Sequence, residues 1–135
     1  MAFNFIYEVL IKEQHLDMFG HVNNAIYLQL FEEARWDFIT QRGYGLNKIL
    51  ECRKGPVVLE AHLKFLKEIK LREVVSITFK PLEELTPATR ISKMNQKMIK
   101  ANGDIACELN ISFGFFDLNE RRLIRPTPDW ISIFI

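Results

Sequence analysis

Two cysteines, six glycines and five prolines are all that 135 residues hold of the types that staple, loosen or break a chain. Cys52 and Cys107 form neither a metal-type pair nor a disulfide framework. Cys107 falls on an apolar alternation and reads as a buried, reduced thiol. So little glycine and proline excludes collagen-like and low-complexity chains. No apolar run approaches the ~20 residues of a membrane helix, so no membrane span is expected. The first stretch, MAFNFIYEVLIKEQ, alternates, carries Glu8 and has no basic leader, which reads as a strand rather than a signal peptide. Neither sign of charge dominates: 18 Lys and Arg against 17 Asp and Glu leave +1, no field to draw nucleic acid or anionic lipid. The three histidines include no pair at helical zinc spacing, and no Gly-x-Ser-x-Gly elbow or Cys–His spacing appears. The expectation is one cytoplasmic domain, residues 1–135, with no metal and no cofactor.

What is present is ample apolar side chain, 48% of the residues with 11 Phe among them. Phe3, Phe5, Tyr7, Val9 and Ile11 alternate as a half-buried strand does. Asp17-Met18-Phe19-Gly20 has the residues of a type I turn. From Asn24 the period changes, and Tyr27, Leu30, Phe31, Ala34 and Phe38 form a helical stripe that Gly43 and Gly45 end. Ile26, Leu28 and Trp36 lie off that stripe, so the helix is covered on more than one side. A poorly patterned linker follows. Pro56 then opens a second sheet region, with Val57, Leu59, Ala61, Leu63 and Phe65 on one face and Glu60, His62 and Lys64 on the other. Val75, Ile77 and Phe79 repeat the alternation, and the polar segment 89–100 reads as a weaker strand. Asn102-Gly103 is a two-residue hairpin signal leading into the strand from Ile105 to Phe115. Thr127 and Pro128 can start a short last helix. One long helix and a succession of antiparallel strands define an α+β fold.

The stretch DMFGHVNNAIY, from Asp17 to Tyr27, has a plain reading piece by piece: an ordinary turn, an asparagine cap and a core tyrosine. The combination says more. A helix start presents free N–H groups and a partial positive charge, and the glycine turn lets Asp17 fold back towards the N–H groups of Asn24 and Ala25. A carboxylate facing such donors is a minimal acyl-transfer site. A thioester suits it best, because a thiol of pKa near ~8.5 leaves without a strong general acid.

DMFGHVNNAIYLQLFEEAR resembles the signature of hotdog-fold thioesterases of the 4-hydroxybenzoyl-CoA thioesterase-like group, which favour D-x-x-G-H-V-N-N-x-x-Y ahead of an E-x-A-R helix. The likeness is dense from Asp17 to Arg35 and looser to about Trp130. It implies a long central helix wrapped by a five-stranded antiparallel β-sheet, and an acyl-CoA substrate bound at the interface of a homodimer that pairs into a dimer of dimers. Carried over, Asp17 is the catalytic carboxylate, as nucleophile or general base. The Asn24 N–H polarises the carbonyl with help from Ala25, Asn23 caps or positions the turn, and Tyr27 lines the acyl site. Leu16 departs from the small or hydroxyl residue that related sequences carry before the aspartate, and Asn24 stands where some members place histidine.

Gly20, His21 and Asn23 belong to the turn and are expected on the substrate-binding side of the site, His21 as a hydrogen-bonding support or a direct participant. Glu32 matches the helix glutamate of the family and either faces the substrate or pairs with Arg35. Lys64 and Lys67, in the densest basic stretch, are either solvated or anchors for CoA phosphates. Two other functions remain open: hydrolysis of acyl groups on acyl carrier protein, and acyl-CoA binding without turnover.

Overall fold

The structure, a computed structural model, describes residues 4–135; Phe3 lies outside them. The remaining alternation becomes β1, Ile6–Leu10, which buries Val9 and, just beyond it, Ile11. A single turn of 3-10 helix, Glu13–His15, leads to the Asp17 hairpin loop. The helical stripe becomes α1, Asn24–Gln41, burying Tyr27, Leu30, Phe31, Ala34, Phe38 and Ile39. It ends at Gly43, whose φ of +92° is the left-handed stop that a side chain would make costly.

The segment expected as a linker is a second helix, α2, Leu46–Cys52. Its signal is faint because it is short, buries no residue fully and starts at Gly45 without a side-chain cap. Arg53 closes it at φ 58°. Strands β2 (Lys54–Phe65), β3 (Val74–Thr78), β4 (Lys80–Pro81), β5 (Ser92–Ile99), β6 (Ile105–Asp117) and β7 (Arg122–Ile124) follow, and α3 is Pro128–Ser132. All strand pairs are antiparallel, in the order β1-β3-β5-β6-β2. The expected five strands are this frame. The two short additions, β4 on β5 and β7 on β6, raise the sheet to seven strands.

Two strand details differ from the sequence pattern. In β2 a bulge between Val58 and Glu60 breaks the alternation. Phe65, Leu63 and Ala61 lie opposite Cys107, Leu109 and Ile111 on the inward face, but beyond the bulge it is Val58 and Pro56 that face Phe113 and Phe115. Leu59 is displaced to the outer side, beside Gly114 and Leu123. The Asn102-Gly103 hairpin forms, yet only Gly103 takes positive φ. Its loop has three residues, not two, closed by Lys100 N–H to Asp104 C=O at 2.8 Å.

The α1 stripe packs on the inner faces of the sheet. Phe38 meets Phe79 edge to face at 5.1 Å. The polar β5 is nonetheless central, with Met94, Gln96 and Met98 fully buried. Gln96 is satisfied there by giving its amide hydrogen to the Phe31 carbonyl at 3.0 Å. Burial pushes the Cys107 thiol up to about 12, so it sits in the core as a neutral apolar group.

Candidate active site

Asp17 opens a tight loop. Its N–H donates to the His21 carbonyl at 2.9 Å and its carbonyl accepts from the Gly20 N–H at 3.1 Å. Gly20 sits at φ +80°, the left-handed position that closes a three-residue hairpin. Phe19 N–H donates to Asp17 Oδ1 at 2.9 Å. One carboxylate oxygen is thus pinned by its own turn, while among the described residues Oδ2 makes no hydrogen bond.

The loop is tied down on two sides. Leu16 and Val22 pair antiparallel, and Asn23 N–H donates to the His15 carbonyl at 2.9 Å. Across the loop, Val22 N–H donates to the Ile69 carbonyl at 3.0 Å, and His21 Nε2 pairs with Glu68 Oε2 at 2.9 Å. These contacts fix the turn against the chain that follows β2.

The start of α1 completes the site. Asn23 is its N-cap, and the Asn23 Oδ1 accepts from the Ala25 N–H at 2.9 Å. The Ala25 N–H, expected beside Asn24 as a donor to substrate, is therefore already engaged. The Asn24 N–H has no acceptor among the described residues. At this end of an eighteen-residue helix the peptide dipoles add a partial positive charge.

Asp17, His21, Asn24, Tyr27 and Lys67 meet along one open groove of about 350 Å³, with Val22, Phe65, Leu66 and Glu68 completing its wall. Tyr27 is buried and its ring stands edge to face on Phe65 at 5.2 Å. Burial, ahead of the nearby Cys107 and Asp17, pushes its hydroxyl up to about 12, so it stays a neutral donor and acceptor. The other expected residues lie elsewhere. Gly20 shapes the loop without lining the groove, and Asn23 sits behind it as the cap. Lys64 is opposite Glu108 on the outer face of β2.

Glu32 lines a different cavity of about 270 Å³, roughly 12 Å further along α1. The alternative of a Glu32–Arg35 ion pair is not formed among the described residues. Arg35 Nη1 instead donates to Gln96 Oε1 at 2.9 Å.

Phe65, Leu66 and Glu68 carry no motif, and Val22, though within the Asp17–Tyr27 motif, has no site role assigned by it. The signal for Glu68 was an acidic residue interrupting the basic stretch. The described residues contain no group of three or more His, Cys, Asp or Glu able to hold a metal ion. They also contain no helix long and apolar enough to cross a membrane.

A long helix wrapped by an antiparallel sheet is the architecture of the hotdog fold, and a turn-borne carboxylate stands before the N-terminus of that helix. The chain belongs to the thioesterase-like superfamily, whose family model matches residues 11–134. It is 25% identical over 118 residues, 87% of this chain and 86% of the relative, to the long-chain acyl-CoA thioesterase FadM of Escherichia coli (strain K12). SAV2348 of Staphylococcus aureus, solved in complex with CoA, superposes with a TM-score of 0.88 at 17% identity, over 96% of this chain and 80% of that one. Slr0204, a 1,4-dihydroxy-2-naphthoyl-CoA thioesterase from Synechocystis, gives 0.83 at 16% identity, over 96% and 94% of the two chains. At those identities the superpositions speak to the fold.

Proposed function

We propose that the chain hydrolyses an acyl-CoA thioester to a free acid and CoA, with Asp17 and the start of α1 as its working parts. The observation that carries this is the placement, in one groove, of the Asp17 carboxylate with an Asn24 N–H that has no acceptor among the described residues. The thioester carbonyl lies against that N–H, and Asp17 either attacks the carbon or takes a proton from the water that does. Negative charge developing on the carbonyl oxygen is met by the Asn24 N–H and the helix dipole. CoA then leaves as a thiolate that takes up the proton, and where Asp17 has attacked, water hydrolyses the acyl-aspartyl anhydride to release the acid and restore the carboxylate. Asn23 serves by keeping the Ala25 N–H engaged and the first turn wound, Tyr27 and Phe65 wall the acyl group, and Lys67 stands at the rim for a CoA phosphate.

The edge strand β2 supports a second copy as partner. It runs twelve residues, has β6 on one side only, and leaves Val58, Leu59 and Phe65 exposed. Long apolar edges invite strand pairing. Analytical ultracentrifugation is expected to show a dimer, with Val58→Lys shifting it towards monomer.

The test of the activity is a panel of acyl-CoAs with free thiol as readout, for the native protein and Asp17→Asn. Turnover of some member that Asp17→Asn abolishes is expected. Undiminished turnover by the variant would sink the assignment. Saturable binding with no turnover across the panel would favour a binding module instead.

A further inference from the structure

The cavity at Glu32 is walled by Val58, Phe79, Phe113, Trp130 and Phe134, yet Arg35 also lines it. Among the described residues the Arg35 guanidinium makes one hydrogen bond, to Gln96, and leaves its remaining N–H groups without an acceptor. Burial lowers its hold on the proton and the Glu32 charge opposes that shift. Arg35 and Glu32 are the two charged residues of the wall, so the cavity is formally neutral.

This cavity and the Asp17 groove are each bordered by residues of α1 and of β2, at different points along the two elements. On α1, Asn24, Leu28, Glu32 and Arg35 recur at spacings of four, four and three, one face of the helix. On β2, Phe65 lines the groove and Val58 and Pro56 line the cavity; Leu63 and Ala61 lie between them on the same inward face. From Asn24 to Arg35 the helix advances about 16 Å. An extended carbon chain advances about 1.3 Å per bond, and helical side chains lean back towards the N-terminus. An acyl group of about ten to twelve carbons, held by its carbonyl at Asn24, ends at Arg35.

We infer that the Arg35 cavity recognises the far end of the acyl group and favours a chain bearing a neutral oxygen there, a hydroxyl or keto group. This rests on the thioesterase reading of the Asp17 groove. A methyl end strips water from the guanidinium and returns no acceptor. A carboxylate end satisfies Arg35 but meets the Glu32 charge. A hydroxyl accepts from Arg35 and has a proton to give to Glu32.

The experiment compares kcat/KM for plain, terminally hydroxylated and terminally carboxylated acyl-CoAs of about 6 to 14 carbons. Near ten to twelve carbons the hydroxylated chain is expected to exceed the plain one about tenfold, and the carboxylated one to fall below the hydroxylated. At six carbons, too short to reach, plain and hydroxylated chains are expected to match. In Arg35→Met and Arg35→Lys the hydroxyl-to-plain ratio is the readout, since a ratio does not depend on how much protein is folded; it is expected to collapse towards one with methionine. A plain chain preferred at every length, or a ratio untouched by Arg35→Met, overturns the inference while leaving the thioesterase reading intact. Inactivity on every member overturns that reading instead. Calorimetry of dodecanoyl-CoA and 12-hydroxydodecanoyl-CoA on Asp17→Asn then reads binding without turnover: tighter binding of the hydroxylated chain supports the inference, and equal or weaker binding overturns it.

Discussion

The loops Asp17–His21 and Lys100–Asp104 are nearly the same piece of backbone. Each closes with an N–H to C=O bond across the loop, 2.9 Å in the first and 2.8 Å in the second. Each has a glycine N–H returning to the carbonyl three residues back, at 3.1 and 2.9 Å, and each glycine is left-handed, at φ +80° and +93°. Each also uses an acidic or amide side chain to hold a neighbouring N–H at 2.9 Å. One joins two strands. The other stands before the Asn24 N–H and an open groove of mixed polar and apolar lining. Turn geometry is therefore not what makes a site; what lies across from it is.

Breaking that comparison gives the largest effect first. Asp17→Asn is expected to cost on the order of a thousandfold in kcat/KM, whereas Asp104→Asn leaves turnover unchanged; thiol-release rates on one responsive acyl-CoA check both. The two glycines come next. An added Cβ meets nothing within 4 Å at either position, so Gly20→Ala and Gly103→Ala each carry a purely conformational cost of roughly 1–2 kcal/mol by urea unfolding. Only Gly20→Ala should also depress kcat, because only that loop aims a carboxylate.

Smaller again is the cap. Asn23→Ala is expected to lose about 1 kcal/mol of stability and several-fold in kcat, as the freed Ala25 N–H and a fraying first turn unsettle the donor beside it. Asn102→Ala, whose side chain accepts from the Asp104 N–H and donates to the Asp104 carboxylate, should change stability alone. The least effect belongs to Glu68→Gln. The His21–Glu68 pair is a third to a half exposed, so its loss should shift stability by less than about 1 kcal/mol, an effect that vanishes in high salt.

Much of this was legible because local chemistry and global fold agree. The glycine turn, the Asn23 cap and the α1 stripe each depend on a few neighbouring residues, and the structure keeps all three. The strands of β3 and β6 alternate cleanly and were equally plain. What escaped depends on partners distant in sequence. The β2 bulge reverses which of Val58 and Leu59 faces inward, and only pairing with β6 reveals it. Helix α2 is too short and too lightly buried to print a period. Glu32 and Arg35 looked like an intrahelical pair, but Gln96, sixty-one residues beyond Arg35, captured the guanidinium. The Ala25 N–H was lost to the cap that made the turn recognisable in the first place.

The central claim is that the Asn24 backbone N–H, not its side chain, turns this loop into a site. Asn24 is the first residue of α1, where proline is well tolerated and removes only an N–H that the helix does not use. Asn23 before it is already extended, at φ −63° and ψ 138°, as a residue preceding proline must be. The decisive measurement is kcat for Asn24→Pro beside Asn24→Ala, with thermal melts confirming both are folded. The account predicts that Asn24→Ala stays within a few-fold of the native protein while Asn24→Pro falls roughly a hundred- to a thousandfold. Equal rates in two folded variants would contradict it.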